Sequence, residues 1–99
     1  MKKGKDYFLT NNIYFLSMFL EIISPEKNIY RGEVKRVRLP GSKGLFEILT
    51  NHAPIISTLE KGTIRIIDED DNKHNCKIEG GIVENKDDKI IVLVESKEK

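Results

Sequence analysis

The 99-residue sequence has a single cysteine, no tryptophan, three prolines and no long apolar run. With Cys76 alone no intramolecular disulfide can form, so a reducing compartment fits the chain. Two histidines and one cysteine, of which only His74 and Cys76 are close together, make no recognisable metal site. Neither sign of charge dominates, because 17 basic residues face 16 acidic ones, and a net charge of +1 gives no electrostatic case for binding nucleic acid.

What is present is the composition of one soluble globular domain. Hydrophobic residues make up 38% and charged residues 33% of the chain, a balance typical of folded rather than disordered proteins. A compact domain of this size buries roughly 60–65% of its extended-chain surface. We therefore expect one modest core and little room for a deep enzymatic cleft.

Residues 1–17 are predicted to be a poorly ordered N-terminal extension, with the folded domain at residues 18–99. Three lysines ahead of apolar residues are typical of a signal peptide, but polar residues interrupt the apolar stretch and no small-residue cleavage site follows. The stretch is also far shorter than the ~20 residues needed to cross a bilayer. The alternative is an added edge strand at Ile13–Leu16.

From Met18 onward, short strand patterns alternate with turn signals. Thr63–Ile67 alternates apolar with polar residues, and the segments between strands contain glycine, proline or acidic residues. Gly32 and Gly62 are interpreted as the ends of strands, and Gly80-Gly81 as a break or a bulge. A phase slip between Val34 and Val37 predicts a β-bulge. No window shows a sustained helical period. The sequence therefore predicts an all-β fold, an antiparallel β-sandwich of about ten short strands with no C-terminal helical hairpin.

Apolar residues exceed what one core can bury. Leu45 and Leu49 fall on one face of their strand with Glu47, whereas Phe46 and Ile48 fall on the other. A sandwich strand buries only one face in its own core, so one apolar set is left over. The same excess occurs at Ile55–Ile56 and at Ile90–Val94. Apolar outer faces indicate a partner or a covering layer, and hence an interaction module.

His52 is the first candidate for chemistry, because it stands beside Pro54 between two apolar runs. As a general base it would require an activated serine or cysteine and an orienting carboxylate. Ser57 and Cys76 are available, but nothing in the sequence places them near His52. A histidine at a strand-to-strand corner is the favoured interpretation.

Three further motifs have plain structural interpretations. Cys76 lies at an inward position of an alternating strand, and His74 two residues earlier adds only a weak metal signal, so both are expected to pack. The Gly41–Gly44 turn precedes a strand, so it is a tight turn rather than a phosphate cradle. The acidic run Asp68–Asp71 lacks EF-hand spacing and is interpreted as a hairpin tip.

Six short segments stand in a characteristic order and spacing between about Phe19 and Glu95. They are Ser24-Pro25-Glu26, Gly32-Glu33-Val34, Leu39-Pro40-Gly41, His52-Ala53-Pro54, Gly62 and Gly80-Gly81. Together they resemble the N-terminal domain of the F-type ATP synthase epsilon subunit, whose mitochondrial equivalent is called delta. That resemblance implies a ten-stranded antiparallel β-sandwich.

The resemblance also implies a function. The chain would be a non-catalytic central-stalk (rotor) subunit of a proton-translocating F-type ATP synthase, bridging the gamma subunit and the membrane c-ring to couple rotation to ATP synthesis. It would lie on the cytoplasmic face of a bacterial plasma membrane as part of the complex, without inserting into lipid. No cofactor, metal or nucleic acid is implied.

Particular residues match the family's contact positions. The resemblance assigns contact with the c-ring to Leu45, Phe46 and His52. It assigns contact with gamma to Ser24, Ile56, Ser57 and Ile82.

The sequence departs from the family pattern in places. Thr50-Asn51 stands where the family usually has Pro-Gly, and Asn51 is expected to tolerate the left-handed backbone of that turn. Glu47 stands where the family usually has glycine. Because the sequence ends at Lys99, we expect neither the inhibitory C-terminal helices nor a nucleotide site.

Three rival functions are open at the level of sequence. The foremost is a free-standing β-sandwich adaptor whose apolar face serves another assembly. A small enzyme using His52 and Cys76 comes next, although no third catalytic group is evident. A barrel for single-stranded nucleic acid would require a basic groove with spaced aromatic residues, and the seven aromatic residues lie mostly before Phe46.

Overall fold

Six β-strands and no helix make up residues 17–95, the part of the chain that the computed structural model describes. The strands are β1 (Met18–Ile23), β2 (Asn28–Gly41), β3 (Gly44–Leu49), β4 (Ile55–Asp68), β5 (Lys73–Lys86) and β6 (Lys89–Val94). The predicted all-β class is confirmed. In this range there is no helix long and apolar enough to cross a membrane. The predicted extension and the alternative strand at 13–16 lie outside the described residues, apart from Ser17.

The predicted count of about ten short strands is wrong for residues 17–95, because three of the six strands are 14 residues long. Each long strand contains glycine that we interpreted as a break: Gly32 in β2, Gly62 in β4 and Gly80-Gly81 in β5. The β4–β5 ladder nevertheless keeps one register from Ile55 to Ile67. Two predicted strands therefore join into one wherever the hydrogen-bonded ladder continues across a glycine.

Gly62 and Gly81 allow a close contact with a neighbouring strand and do not interrupt their own strands. A Cβ at Gly81 would lie 2.4 Å from the backbone oxygen of Leu93, and one at Gly62 would lie 2.8 Å from Cβ of Pro40. Real Cβ atoms do not come this close, so a side chain at either position would push neighbouring strands apart. Glycine is therefore required at Gly81, where the backbone of the neighbouring strand lies close, and at Gly62, where the ring of Pro40 does.

The sheet closes on itself. The strand order is β1-β6-β5-β4-β2-β3, and β1 also pairs with β2, which produces a barrel-like sandwich. Five strands form the closed ring, with β3 attached to β2. Alternating directions cannot be kept around a ring with an odd number of members, so one pair must be parallel. That pair is β1–β6, and the prediction of an antiparallel-only sandwich is wrong at this seam.

β2 changes partners along its length. Its first half pairs with β1, and its second half pairs with both β3 and β4. The ladder to β4 shifts register between Val34 and Arg36 and again between Arg38 and Gly41, so the bulge predicted near Val34 is confirmed. Bulges bend a strand and increase its twist, which allows β2 to leave one neighbour and join two others.

One continuous apolar core fills the closed sheet. Its members alternate along the strands, as in β1, where every second residue is buried. Each fully buried aliphatic side chain contributes about 1.5–3 kcal/mol relative to an exposed one. The core residues are Met18, Leu20, Ile22, Val34, Val37, Leu39, Ile48, Leu59, Ile64, Ile66, Ile78, Val83, Ile90, Val92 and Val94.

Two leucines test this division between core and surface. Leu20 is fully buried, whereas Leu93 is 50% exposed. We expect Leu20→Ala to lower the free energy of unfolding by about 2–5 kcal/mol, because it leaves a cavity. Leu93→Ala serves as the matched control and should cost less than about 1 kcal/mol. Urea denaturation measures both values, and equal losses would contradict the inside–outside assignment.

Candidate interaction surfaces

An apolar stripe crosses the outer face of four strands. We define the apolar stripe as Ile23, Ile56, Ile82, Ile91 and Leu93. Register places Ile82 beside Leu93, and Leu93 beside Ile23, in one row. Ile56 is 68% exposed and Leu93 50% exposed, so their methyl groups face water in the described structure. Exposed aliphatic side chains clustered in this way are typical of a contact surface.

The structure brings together two of the four residues assigned to gamma. Ile56 and Ile82 lie on the same outer face of neighbouring strands. Ser57 pairs with the buried Val83, so it lies on the opposite face of β4, where its hydroxyl donates to the Thr58 carbonyl at 3.2 Å. Ser24 follows the last residue of β1, at one end of the apolar stripe.

Ser24 closes a tight turn between β1 and β2. Its backbone N–H donates to the Lys27 carbonyl at 2.9 Å, and its hydroxyl oxygen accepts the Lys27 N–H at 3.2 Å. The turn accounts for Ser24 without a partner molecule. Ser24 and Ser57 therefore each make a local hydrogen bond within the domain.

A second exposed apolar surface lies on β3, the last strand in the sheet order. Leu45 is 68% exposed and Leu49 47% exposed, and both occupy the outer face, as the alternation predicted. Phe46 faces the other way and packs against the core. Its ring fills the space where Gly41 would have a side chain, since a Cβ there would lie 2.8 Å from Cε1. Phe46 thus supports β3 from beneath.

His52 lies half-buried at the corner between β3 and β4. Its backbone N–H donates to the Leu49 carbonyl at 3.1 Å. Its Nδ1 lies 2.8 Å from the Ala53 carbonyl oxygen, and because a carbonyl only accepts, Nδ1 has the proton. The ring is thereby held in one orientation beside the chain turn.

The enzyme alternative fails on distance. The corner at His52 contacts Asn85, whereas Cys76 lies nine residues earlier on the same extended strand. At ~3.3 Å per residue, that separation is about 30 Å. His52 and Cys76 therefore cannot act on one substrate, and Cys76 instead packs half-buried against the core.

Asn85 is a site residue that sequence reasoning missed. It is fully buried at the end of β5, and its Nδ2 donates to the His52 carbonyl at 3.5 Å. Asp88 adds a second restraint, because its Oδ1 accepts the Asn51 N–H at 2.8 Å. The sequence signal that could have identified Asn85 is its place two residues after the apolar Val83, which puts an asparagine at an inward position of the strand. These two contacts fix the His52 corner to the β5–β6 hairpin.

Asn51 has the left-handed backbone that we expected at this corner. Its φ is 67°, a conformation that asparagine adopts more readily than most residues. Asn51 thus fills the place where the family usually has glycine.

The acidic run forms the β4–β5 hairpin, as predicted, and it is organised by one carboxylate. Asp68 accepts the N–H groups of Asp70 and Asn72, each at 2.9 Å, and Nε2 of His74 at 2.8 Å. The hydrogen bond from His74 lowers the pKa of Asp68, and the two N–H groups add to this against the effect of desolvation. The carboxylate of Asp68 thus accepts three hydrogen bonds from the protein. No group of three potential metal ligands was found between residues 17 and 95.

Residues 17–99 match the family described as the ATP synthase delta/epsilon chain beta-sandwich domain. The chain belongs to this family. It is 43% identical over 76 residues to the ATP synthase epsilon chain of Leptospira borgpetersenii, covering 77% of this chain and 59% of that one. It is 40% identical over 76 residues to the epsilon chain of Chlorobium limicola, covering 77% and 86% respectively.

The fold has solved relatives of lower sequence similarity. A chain of the Euglena gracilis mitochondrial ATP synthase aligns over 95% of this chain and 59% of its own length, with a TM-score of 0.76 and 19% identity. A chain of the Tetrahymena thermophila enzyme aligns over 80% of this chain and 63% of its own, with a TM-score of 0.64 and 16% identity. The chain thus spans about 59% of the length of several curated relatives that it matches.

The left-handed corner can be tested by substitution at Asn51. Asn51→Gly should leave stability unchanged within ~0.5 kcal/mol, because glycine adopts positive φ freely. Asn51→Val should cost about 1–2 kcal/mol, because a β-branched residue is strained there. Asn75→Val is the matched control, since it makes the same replacement on the exposed face of β5. Urea denaturation would contradict the corner geometry if both valine variants behaved alike.

The lowered pKa of Asp68 predicts a pH dependence. The folded protein binds fewer protons at Asp68 than the unfolded chain does, so this stabilisation is complete above about pH 4 and is lost as pH falls through the folded-state pKa. Asp68→Asn should therefore unfold at a lower temperature than the wild type at pH 7, and the gap should narrow as the pH falls below about 4. Thermal unfolding between pH 7 and 2.5 measures this gap.

Asp70→Asn is the control for that series, because it removes the same charge from the same exposed turn. Its effect on the unfolding temperature should be smaller. A gap between wild type and Asp68→Asn that did not change with pH would refute the role given to the ionised carboxylate.

Proposed function

We propose that this domain is a non-catalytic central-stalk subunit of a proton-translocating F-type ATP synthase, which bridges the gamma subunit and the c-ring. The observation that supports it most is the family match over residues 17–99 combined with two separate exposed apolar surfaces. A subunit that couples two partners requires two such surfaces. The two solved relatives come from structures of ATP synthase assemblies that include the c-ring.

The apolar stripe is the surface proposed for gamma. Ile56, Ile82 and Leu93 together leave a large aliphatic area in water. Burial of apolar surface against a partner contributes about 25 cal/mol to the stability of the contact for each Å² removed from water. Glu84 and Glu21 interrupt the stripe in the row that contains Ile56 and Ile91. These two carboxylates would set the register of the contact with gamma.

The β3 face and the His52 corner are the surface proposed for the c-ring. Leu45 and Leu49 supply exposed methyl groups on a strand that pairs with β2 alone among the described strands. His52 follows β3 directly, and its orientation is fixed by Ala53 and Asn85. Phe46 contributes indirectly by holding β3 on the core. The polar loops of a c-ring would contact the leucines and the ring of His52.

The closed sheet suits a coupling element. Every strand of the ring is hydrogen-bonded on both sides, so the two surfaces keep a constant separation under load. The domain would contribute no reacting group. It would transmit the rotation of the ring to the stalk at the cytoplasmic face of the membrane, without inserting into lipid.

A free-standing adaptor remains the second candidate, because the apolar stripe alone would suit any flat apolar partner. The two functions differ in the proteins that the domain binds. Recovery of gamma and c-ring subunits supports the rotor proposal, whereas recovery of other partners supports the adaptor.

A pull-down of the tagged chain from its native membranes tests the proposal. We expect the bound proteins, identified by mass, to include gamma and c-ring subunits. Ile82→Asp should reduce recovery of gamma at least tenfold, since it places a charge in the apolar stripe. Leu45→Asp should reduce recovery of the c-ring.

Asn75→Asp is the matched control, because it adds the same charge at an exposed position of β5 outside the apolar stripe. It should leave recovery of gamma unchanged. A folded wild-type chain that recovered neither subunit would overturn the rotor proposal.

A further inference from the structure

A strongly basic surface lies on the outer face of β2, β4 and β5, away from the apolar stripe. We define the basic patch as Arg36, Arg38, Arg65 and Lys73. Register places the four side chains in two adjacent rows. One row runs Arg36, Ile67, Lys73, and the next runs Arg38, Arg65, Asn75. Neighbouring strands are ~5 Å apart and alternate residues ~7 Å apart, so the cations lie close together.

The basic patch is poorly neutralised. Arg38 has one acidic partner, Glu47, at 3.4 Å. Across residues 17–95 no ion pair within 4.0 Å is formed by Arg36, Arg65 or Lys73. Four cations against one carboxylate give a local charge of +3 (4 − 1), although the whole chain carries only +1. The positive charge is therefore concentrated on this face.

The positions of Arg38 and Arg65 make this concentration of positive charge unfavourable for the stability of the sheet. They are direct cross-strand partners in the β2–β4 ladder. Like charges that face each other across a sheet destabilise it. Natural proteins break such local rules mainly at functional sites. An anion bound between the two guanidinium groups would turn this repulsion into attraction.

The shape of the surface fits a small anion. The patch lines a concavity of about 200 Å³, with Glu47, Ile66, Ile67 and Asn75 as its other walls. This volume is below the ~300–1,000 Å³ typical of sites for larger ligands. The lining contains no aromatic ring on which a base could stack, which disfavours single-stranded nucleic acid.

We propose that the basic patch binds a phosphate-bearing anion, with the guanidinium groups donating to its oxygens. Arginine has a planar fork of donors that matches phosphate in bidentate fashion, and three of the four cations are arginine. The phosphate can come from a soluble polyphosphate or from the headgroup of an anionic phospholipid. The proposal does not depend on the rotor function, because it uses neither the apolar stripe nor the His52 corner.

Two binding experiments on the purified chain distinguish the sources. Calorimetric titration with inorganic pyrophosphate, at an ionic strength held constant with sodium chloride, tests the soluble anion. Co-sedimentation with vesicles of phosphatidylcholine containing 30% phosphatidylglycerol, against pure phosphatidylcholine vesicles, tests the headgroup. We expect saturable binding in at least one arm. The arm that binds identifies the source.

Paired variants test whether the anion binds at the basic patch rather than elsewhere on the protein. Arg36→Gln with Arg65→Gln removes two cations that form no ion pair within residues 17–95, and it should weaken binding at least tenfold. Lys86→Gln with Lys89→Gln is the matched control, because it removes the same charge at the β5–β6 hairpin, where Glu84 and Asp87 lie nearby. The control should weaken binding less than twofold. Binding in neither arm, or equal loss in both variants, would overturn the proposal.

The unfolding temperature gives a second measurement, which nonspecific attraction between the protein and an anion would not change. Without added anion, Arg65→Gln should unfold at the same temperature as the wild type or higher, because it relieves the repulsion with Arg38. The anion that binds in the two experiments above should stabilise the wild type, and it should stabilise Arg65→Gln less. A variant less stable than the wild type without anion would show that Arg65 has a structural role instead.

Discussion

The pairing of β1 with both β2 and β6 is the interaction on which the rest of the structure depends. Without it the molecule would be an open sheet with two free edges and a half-covered core. With it, the apolar faces of all the ring strands point inward and the core becomes continuous. The same closure fixes the outer faces. The apolar stripe and the basic patch lie at opposite ends of β4 and β5 because those long strands serve both halves of the molecule.

Much of the fold followed from local pattern. Period-two alternation identified the strands and separated Leu45 from Phe46, and the phase slip near Val34 identified a true bulge. The strand count failed because glycine signals a break only when the hydrogen-bonded ladder ends there. At Gly81 the ladder continues. Glycine is needed there because the backbone of Leu93, a residue 12 positions later, leaves no space for a side chain. Alternation along one strand contains no information about such a contact.

The candidate site likewise contains residues that the sequence identified and residues that it did not. The resemblance to the family assigned Ile56 and Ile82 to one contact surface, and in the structure both lie at outward positions of the same face. Asn85 was missed because its partner, His52, lies 33 positions away in the sequence. The basic patch was hidden by a net charge of +1, since charge summed over a chain says nothing of its segregation. Only the register of β2 with β4 brings Arg38 opposite Arg65.

The parallel seam has a mechanical consequence. In a parallel pair, the start of one strand and the end of the other lie at opposite ends of the pair. Phe19 lies beside Lys89, and Ile23 lies beside Leu93. A force applied between residues 17 and 95 would therefore load the β1–β6 hydrogen bonds in shear, all at once, rather than peel them apart one by one. A seam of this geometry resists tension better than a hairpin, which would suit the rotor function proposed for this domain.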